Sequence, residues 1–255
     1  MSTSRHPYLD HPGPIPFAHR GGTSSAPENT MASFEHAWAL GYRYLETDVH
    51  RTIDGVLVAF HDADLRRTCG IERTIAEMTS SEVADARVRH IDGTTYPIPL
   101  MTELLDRFPQ ARFNIDAKAD ESIEPLAELV RQRGLIDRVC LASFQLRRLR
   151  RLRSLLGANL LTNMSPPEIA PLLALGRTPG RSPRVAQVPI RMGRVTVVTE
   201  RFIAAAHRQG IDVHVWTINE RSEIERLLDL GVDGIMTDDT DVLRAVLIER
   251  GLWSA

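Results

Sequence analysis

Residues 42–62 read YRYLETDVHRTIDGVLVAFHD, and the alternation within them points to the fold. Successive side chains on a strand face opposite ways. A strand over Tyr42–Arg51 therefore puts Tyr44, Glu46 and Asp48 on one face and Leu45, Thr47 and Val49 on the other. A face with two carboxylates does not suit a wall packed by helices, so it turns inward. Asp54-Gly55 then marks a tight hairpin. A two-residue turn centred there pairs 53 with 56, 51 with 58 and 48 with 61. Directly opposite residues share a sheet face, so His61 is expected across from Asp48, with Glu46 two residues further along that side.

Outward from this stretch, strand-like runs alternate with helical patterns from end to end. Strands are expected at Ile15–His19, Tyr42–Arg51, Ala111–Lys118, Arg138–Phe144, Ala158–Thr162, Val185–Pro189, Ile211–Thr217 and Gly234–Asp238. Helices fall between most of them, including the arginine-leucine stretch 145–156, whose leucine spacing suits a helix packed on the barrel wall. Eight strands with interleaved helices spell a (β/α)8 barrel, carrying a β-hairpin and a small insertion after the second strand. The insertion, about 62–99, leaves the C-terminal end of its strand and is placed to form a lip or lid. Residues 1–14, with Pro7, Pro12 and Pro14, read as a flexible lead-in rather than a signal peptide, and 15–255 as a single barrel domain. The segment 177–184 lies before a strand, on the face of the barrel remote from chemistry, and is expected to be a solvated loop.

Composition narrows the function. A formal charge of −2 and a pI near 6.5 argue against a nucleic-acid partner. No run approaches the ~20 apolar residues of a membrane span, and Cys69 and Cys140 form no disulfide or zinc pattern. The expectation is a cytoplasmic protein with a small-molecule substrate and no stable membrane association. Among 31 basic residues Lys118 is the only lysine, which marks a place where a point charge suits better than a planar guanidinium.

Strand parity sorts the ends of the strands. Asn114, Asp116 and Lys118 share the inward face of the third strand, and Asp212, His214 and Trp216 that of the seventh. Barrel sites form at strand C-terminal ends, which gathers His19, Arg20, Glu46, Asp48, His61, Asp116, Lys118 and Trp216 at one mouth. Three carboxylates so close call for a cation, and oxygen ligands without a thiolate favour Mg²⁺ or Ca²⁺ over zinc. Two flanking histidines suit general acid and general base, and Arg20 and Lys118 suit a phosphate. Gln187 ends the sixth strand as a candidate substrate contact, and Trp216 could wall the apolar part of a ligand. His214, one step below Trp216, is expected to be buried and satisfied. His50 shares the inward parity of Asp48 but lies beyond it on the hairpin. With no Ser or Cys in a nucleophile elbow, the set favours phosphodiester cleavage over acyl transfer.

The order of these pieces resembles the glycerophosphodiester phosphodiesterases: HRGGTSSAPENT, then ETDVHRTIDGVLVAFHD, then NIDAK, with VWTIN and GIMTD on later strands. The resemblance spans about residues 16–245. It implies a metal-dependent barrel that hydrolyses glycerophosphodiesters to glycerol 3-phosphate and an alcohol. It carries over His19 and His61 as the acid/base pair, Glu46, Asp48 and Asp116 as ligands of one divalent cation, and Arg20 and Lys118 as phosphate contacts. Asp116 is one methylene shorter than the Glu often found there, which weakens its claim to direct metal contact. The alternatives are a lysophospholipase D or cyclising phospholipase on the same barrel, which would need a long apolar rim, and a barrel that only binds. The polar composition of 62–99 favours the small substrate.

Overall fold

The structure is a computed structural model that describes residues 5–178 and 185–254. Eight parallel strands form the barrel: β1 Ile15–Ala18, β2 Tyr44–Arg51, β3 Arg112–Ala117, β4 Val139–Ala142, β5 Leu161–Thr162, β6 Val185–Val188, β7 Asp212–Val215 and β8 Gly234–Thr237. They pair in the order β5-β4-β3-β2-β1-β8-β7-β6. A parallel bridge between Asn163 and Val185 brings β5 against β6 and closes the ring. The expected strands are all present, most of them a few residues shorter. Of the helices between β2 and β3, Met101–Arg107 follows the insertion, packs on the barrel wall and had no place in the sequence pattern. Of the segment 177–184, residues 179–184 lie outside the described residues.

Parity holds. Phe113, Ile115 and Ala117 of β3, and Val213 and Val215 of β7, are buried in the wall between sheet and helices. The arginine-leucine helix is Leu146–Leu156, and it sinks Leu149 and Leu152 into that wall. Its arginines pair with neighbours such as Glu124 and Asp120. Inside the barrel, aromatic rings replace the carboxylates as one descends. Phe17 and Tyr44 meet edge to face at 5.3 Å, and His214 lies 4.9 Å from Phe17. Gly234 makes room for them, since a Cβ there would lie 2.8 Å from the His214 ring and 2.9 Å from Phe17. His214 is buried as expected, but not satisfied. Neither ring nitrogen finds a hydrogen-bond partner among the described residues, and burial holds its pKa down at about 3, so the ring is neutral packing.

Two expectations are corrected. From residue 5 on, where the described residues begin, the N-terminal segment is no loose lead-in. A 3₁₀ turn over Pro7–Leu9 drives Tyr8 and Leu9, both fully buried, into the floor of the barrel. The Tyr44 hydroxyl donates to the Tyr8 carbonyl at 2.7 Å, and the strand ends facing away from the mouth are sealed by this plug. The hairpin is slipped by one residue from the expected register. Arg51 pairs with Leu57, His50 with Val58 and Val49 with Ala59, in a return strand over Leu57–Ala59. The loop takes three residues because the Thr52 hydroxyl accepts from the Val56 N–H and donates to Asp54, with Gly55 at φ +90°. Phe60, not His61, thus lies opposite Asp48, its N–H donating to the Asp48 carbonyl. His61 reaches the mouth because the chain leaves the sheet at that point.

The insertion packs around a core of its own, with Phe60, Leu65, Ile75, Met78, Val83 and Val88 buried together. It is pinned to the hairpin tip by the Asp54 carboxylate, which accepts from the backbone and hydroxyl of Ser80.

Candidate active site

Every sequence-predicted site residue lines one cavity of about 320 Å³ at the C-terminal ends of the strands. His19, Arg20, Glu46, Asp48, His61, Asp116 and Lys118 converge on one side, and Gln187 and Trp216 stand on the other. β1 ends in a tight turn in which Arg20 takes φ +53°, a conformation that residues other than glycine seldom hold without support. The support is Glu46, whose carboxylate accepts the Arg20 backbone N–H at 2.9 Å.

The charges alternate in an unbroken chain. Lys118 Nζ lies 2.7 Å from Asp116 and 2.8 Å from Asp48. Arg20 Nε lies 3.1 Å from the other oxygen of Asp48, and the same guanidinium donates to Glu28 at 3.1 Å. Arg67, from the insertion, grips Glu28 with both terminal nitrogens and donates its Nε to Asp62 at 2.6 Å. Asp62 in turn accepts from His61 Nδ1 at 2.6 Å. Burial would raise Asp48, but Lys118 and Arg20 outweigh it and hold its pKa below the usual range. Glu46 fares differently: burial and the charge of Asp48 push it up to about 7. Burial raises Asp116 too, despite Lys118.

The two histidines are built alike. His19 Nδ1 donates to Asp238 at 2.7 Å, as His61 Nδ1 does to Asp62, so each ring has its tautomer set by a carboxylate. His19 Nε2 then looks toward Glu46, 3.8 Å away. Burial alone would lower the pKa of His19, but Glu46 and Asp238 outweigh it and raise it.

Several working residues carried no strong sequence signal. Asp238 closes the GIMTD run yet touches His19, 219 positions earlier. Asn29 stands just before the first helix, whose cap is Thr30 with Ser33. It is buried, donates to Asp48 at 3.1 Å and accepts from Thr47 at 2.8 Å. Thr47 points away from the mouth, as its parity requires, and steadies the site through Asn29. Glu28 leans over the mouth and holds Arg20. Gln187 is tied to Asn114 by a 2.7 Å hydrogen bond. His50 is buried and bonded to the His61 carbonyl at 3.0 Å, outside the cavity.

Glu46, Asp48 and Asp116 offer an oxygen-only donor set, and these three carboxylates outnumber the two cations, Arg20 and Lys118, that share the cavity. A hard divalent cation fits that set. Among the described residues no three His, Cys, Asp or Glu side chains are already drawn round a single point, because Lys118 lies between Asp48 and Asp116. No helix among them is long and apolar enough to cross a membrane.

Residues 19–242 match the family model described as the glycerophosphoryl diester phosphodiesterase family. "Probable glycerophosphodiester phosphodiesterase 2" of Mycobacterium tuberculosis is 36% identical over 255 residues, covering 96% of this chain and 95% of that one. A glycerophosphodiester phosphodiesterase of Bacillus altitudinis is 31% identical, covering 92% and 97%. A solved structure from Silicibacter pomeroyi shares the fold with a TM-score of 0.80 at 27% identity, covering 96% and 97%. With a family match over nearly its whole length and a 36% identical relative, this barrel, with two carboxylate-tethered histidines at its mouth, belongs to the glycerophosphoryl diester phosphodiesterase family.

Proposed function

We propose that the protein hydrolyses glycerophosphodiesters to glycerol 3-phosphate and an alcohol, with His19 and His61 as the acid/base pair. The observation that carries this reading is the paired tethering of the two rings. Each spends Nδ1 on a carboxylate, which leaves Nε2 as the atom able to take or give a proton. Arg20 and Lys118 neutralise the phosphodiester anion beside them. One histidine takes the proton of a glycerol hydroxyl as its oxygen attacks phosphorus. The bond from phosphorus to the departing alcohol breaks, and the other histidine protonates that alkoxide. Water then opens the cyclic phosphate with the two roles exchanged. Glu46, Asp48 and Asp116 would hold one Mg²⁺ or Ca²⁺, which when bound supplies charge neutralisation at a phosphoryl oxygen. Gln187 borders the space for the glycerol, and Trp216 walls the apolar part of the ligand.

The test is release of glycerol 3-phosphate from glycerophosphocholine after EDTA treatment and after Mg²⁺ or Ca²⁺ is restored. Release that returns with either cation supports the reading. Failure to release from several headgroups under all conditions sinks it.

A further inference from the structure

The VWTIN run ends in Asn219, a residue that the cleavage chemistry leaves idle and that is not among those lining the cavity. The chain after β7 stays zipped to β8 beyond the strand end, since the Ile218 N–H donates to the Met236 carbonyl at 2.9 Å. That contact sets Asn219 beside Thr237 and Asp238, and its amide meets both. The amide oxygen accepts from the Asp238 N–H at 2.9 Å and from the hydroxyl of the buried Thr237 at 3.1 Å. The amide nitrogen donates to Asp238 Oδ2 at 3.1 Å. A backbone N–H can only donate and an ionised carboxylate can only accept, so this orientation of the amide is the one that satisfies both.

Asp238 is the carboxylate that tethers His19, through its other oxygen, at 2.7 Å. Its backbone is held from both sides. Asn219 takes the N–H, and the Thr23 N–H donates to the carbonyl at 2.7 Å. What remains to be fixed is the rotation of the partly exposed carboxylate. The Asn219 amide stops it by binding Oδ2 while His19 takes Oδ1. The other histidine is served by the same plan: Asp62 gives Oδ1 to His61 and Oδ2 to Arg67 Nε. Each tether is thus a chain of three side chains, ending in a neutral amide on one side and a guanidinium on the other.

Resting on the reading of His19 as half of the acid/base pair, we infer that Asn219 is a positioning residue for the cleavage step. It holds the Asp238 carboxylate at the angle that keeps His19 Nδ1 bound and leaves Nε2 turned into the cavity. Asn219 lies outside the cavity and acts only through Asp238. An amide suits the place because it offers a donor and an acceptor on one flat group. A carboxylate of the same shape would keep the acceptor face toward the Asp238 N–H and Thr237. It would set oxygen against oxygen at the Asp238 side chain, where two like charges repel. Asn219→Asp therefore separates the two jobs of the residue, fastening the loop and holding the carboxylate.

The test measures kcat and KM for glycerol 3-phosphate release from glycerophosphocholine with the cation restored. The natural protein is compared with Asn219→Asp, Asn219→Ala, Asp238→Asn, and Asn219→Asp combined with Asp238→Asn. Asn219 is exposed, so its variants should keep the natural circular dichroism. Asn219→Asp and Asn219→Ala should each lower kcat roughly 10-fold with KM little changed, the effect an outer partner has on the group it orients. With Asp238 already replaced, the amide at position 238 can donate to the new carboxylate, so Asn219→Asp should cost less than about twofold more. Proton NMR supplies a second readout should the combined variant fall below detection. The His19 Nδ1–H should exchange with water faster in Asn219→Asp than in the natural protein. Full kcat in Asn219→Asp overturns the inference, reduces the residue to a loop fastening and leaves the hydrolase reading standing. Full kcat in Asn219→Ala beside a loss in Asn219→Asp also overturns it, by making the effect one of added charge. A loss confined to KM, or the same loss with and without Asp238, refutes it, as does an unchanged His19 Nδ1–H. No release by the natural protein from several headgroups overturns the hydrolase reading and the inference together.

Discussion

The two arcs of the barrel mouth are made by the same backbone device and do opposite things. The arc from β8 round to β3 presents charged groups bound into one alternating network, from His61 through Asp62, Arg67, Glu28, Arg20, Asp48 and Lys118 to Asp116. The arc from β4 to β7 presents Met, Ile, Val and aromatic side chains. The difference shows how a barrel divides labour: the polar arc must be pre-organised, so it is cross-linked residue to residue, whereas the apolar arc needs only shape and dryness. Changes to the polar arc should therefore act on kcat, and changes to the apolar arc on substrate choice.

The largest effect expected on the polar arc is that of stripping the divalent cation, a loss of roughly 10²-fold or more in turnover. Its recovery should depend on pH in a definite direction. Burial and Asp48 hold Glu46 at about 7, above its ordinary 4.5. The cation-free folded protein therefore keeps a proton there that the unfolded chain gives up. Stability from this group is present below pH 4.5 and is lost as pH rises through 7. A cation must displace that proton, so binding should weaken as pH falls below 7 and release a proton at pH 6. Calorimetry in buffers of different ionisation enthalpy reads this directly; proton-neutral binding at pH 6 would remove Glu46 from the donor set.

Next come the tethers. Asp62→Asn and Asp238→Asn keep the size of the side chain but unsettle the histidine tautomer, and each should lower kcat by roughly 10- to 1,000-fold with KM little changed. A change confined to KM would make them substrate contacts. A smaller effect, about 3- to 10-fold in kcat, is expected for Arg67→Ala, which frees Glu28 and Asp62 together. Arg67→Lys should restore only part, because an ammonium lacks the fork that spans both carboxylates. Full rescue by lysine would reduce the role of Arg67 to its charge. The least effect, within about twofold on glycerophosphocholine, belongs to Met192→Asp on the apolar arc, as for other exposed substitutions. A larger loss would dissolve the division between the arcs.

How much of this was legible beforehand follows from what backbone periodicity can and cannot encode. Inward and outward faces obey a period of two, so Asn114, Asp116 and Lys118 could be set apart from Phe113, Ile115 and Ala117 from the letters alone. Turn length is less constrained. Asp54-Gly55 pointed to a two-residue turn, and the Thr52 hydroxyl converted it to three, slipping the register by one. The prolines of the N-terminal segment suggested slackness, while Tyr8 answered to an aromatic floor visible only once Phe17, Tyr44 and Met236 stand round it. Asp238 and Asn29 act through partners distant in the chain, which no local pattern reports. The apolar arc was missed for a related reason: its residues come singly from four separate segments, with no motif in any of them.

The central claim, that the polar arc cleaves the phosphodiester through its two histidines, is tested most directly by one comparison. Glycerol 3-phosphate release from glycerophosphocholine is measured with cation present for the natural protein, His19→Ala and His61→Ala, with circular dichroism confirming that all three are folded. The account predicts that each substitution lowers kcat by roughly 10²- to 10⁴-fold. Undiminished release by both folded variants would contradict it.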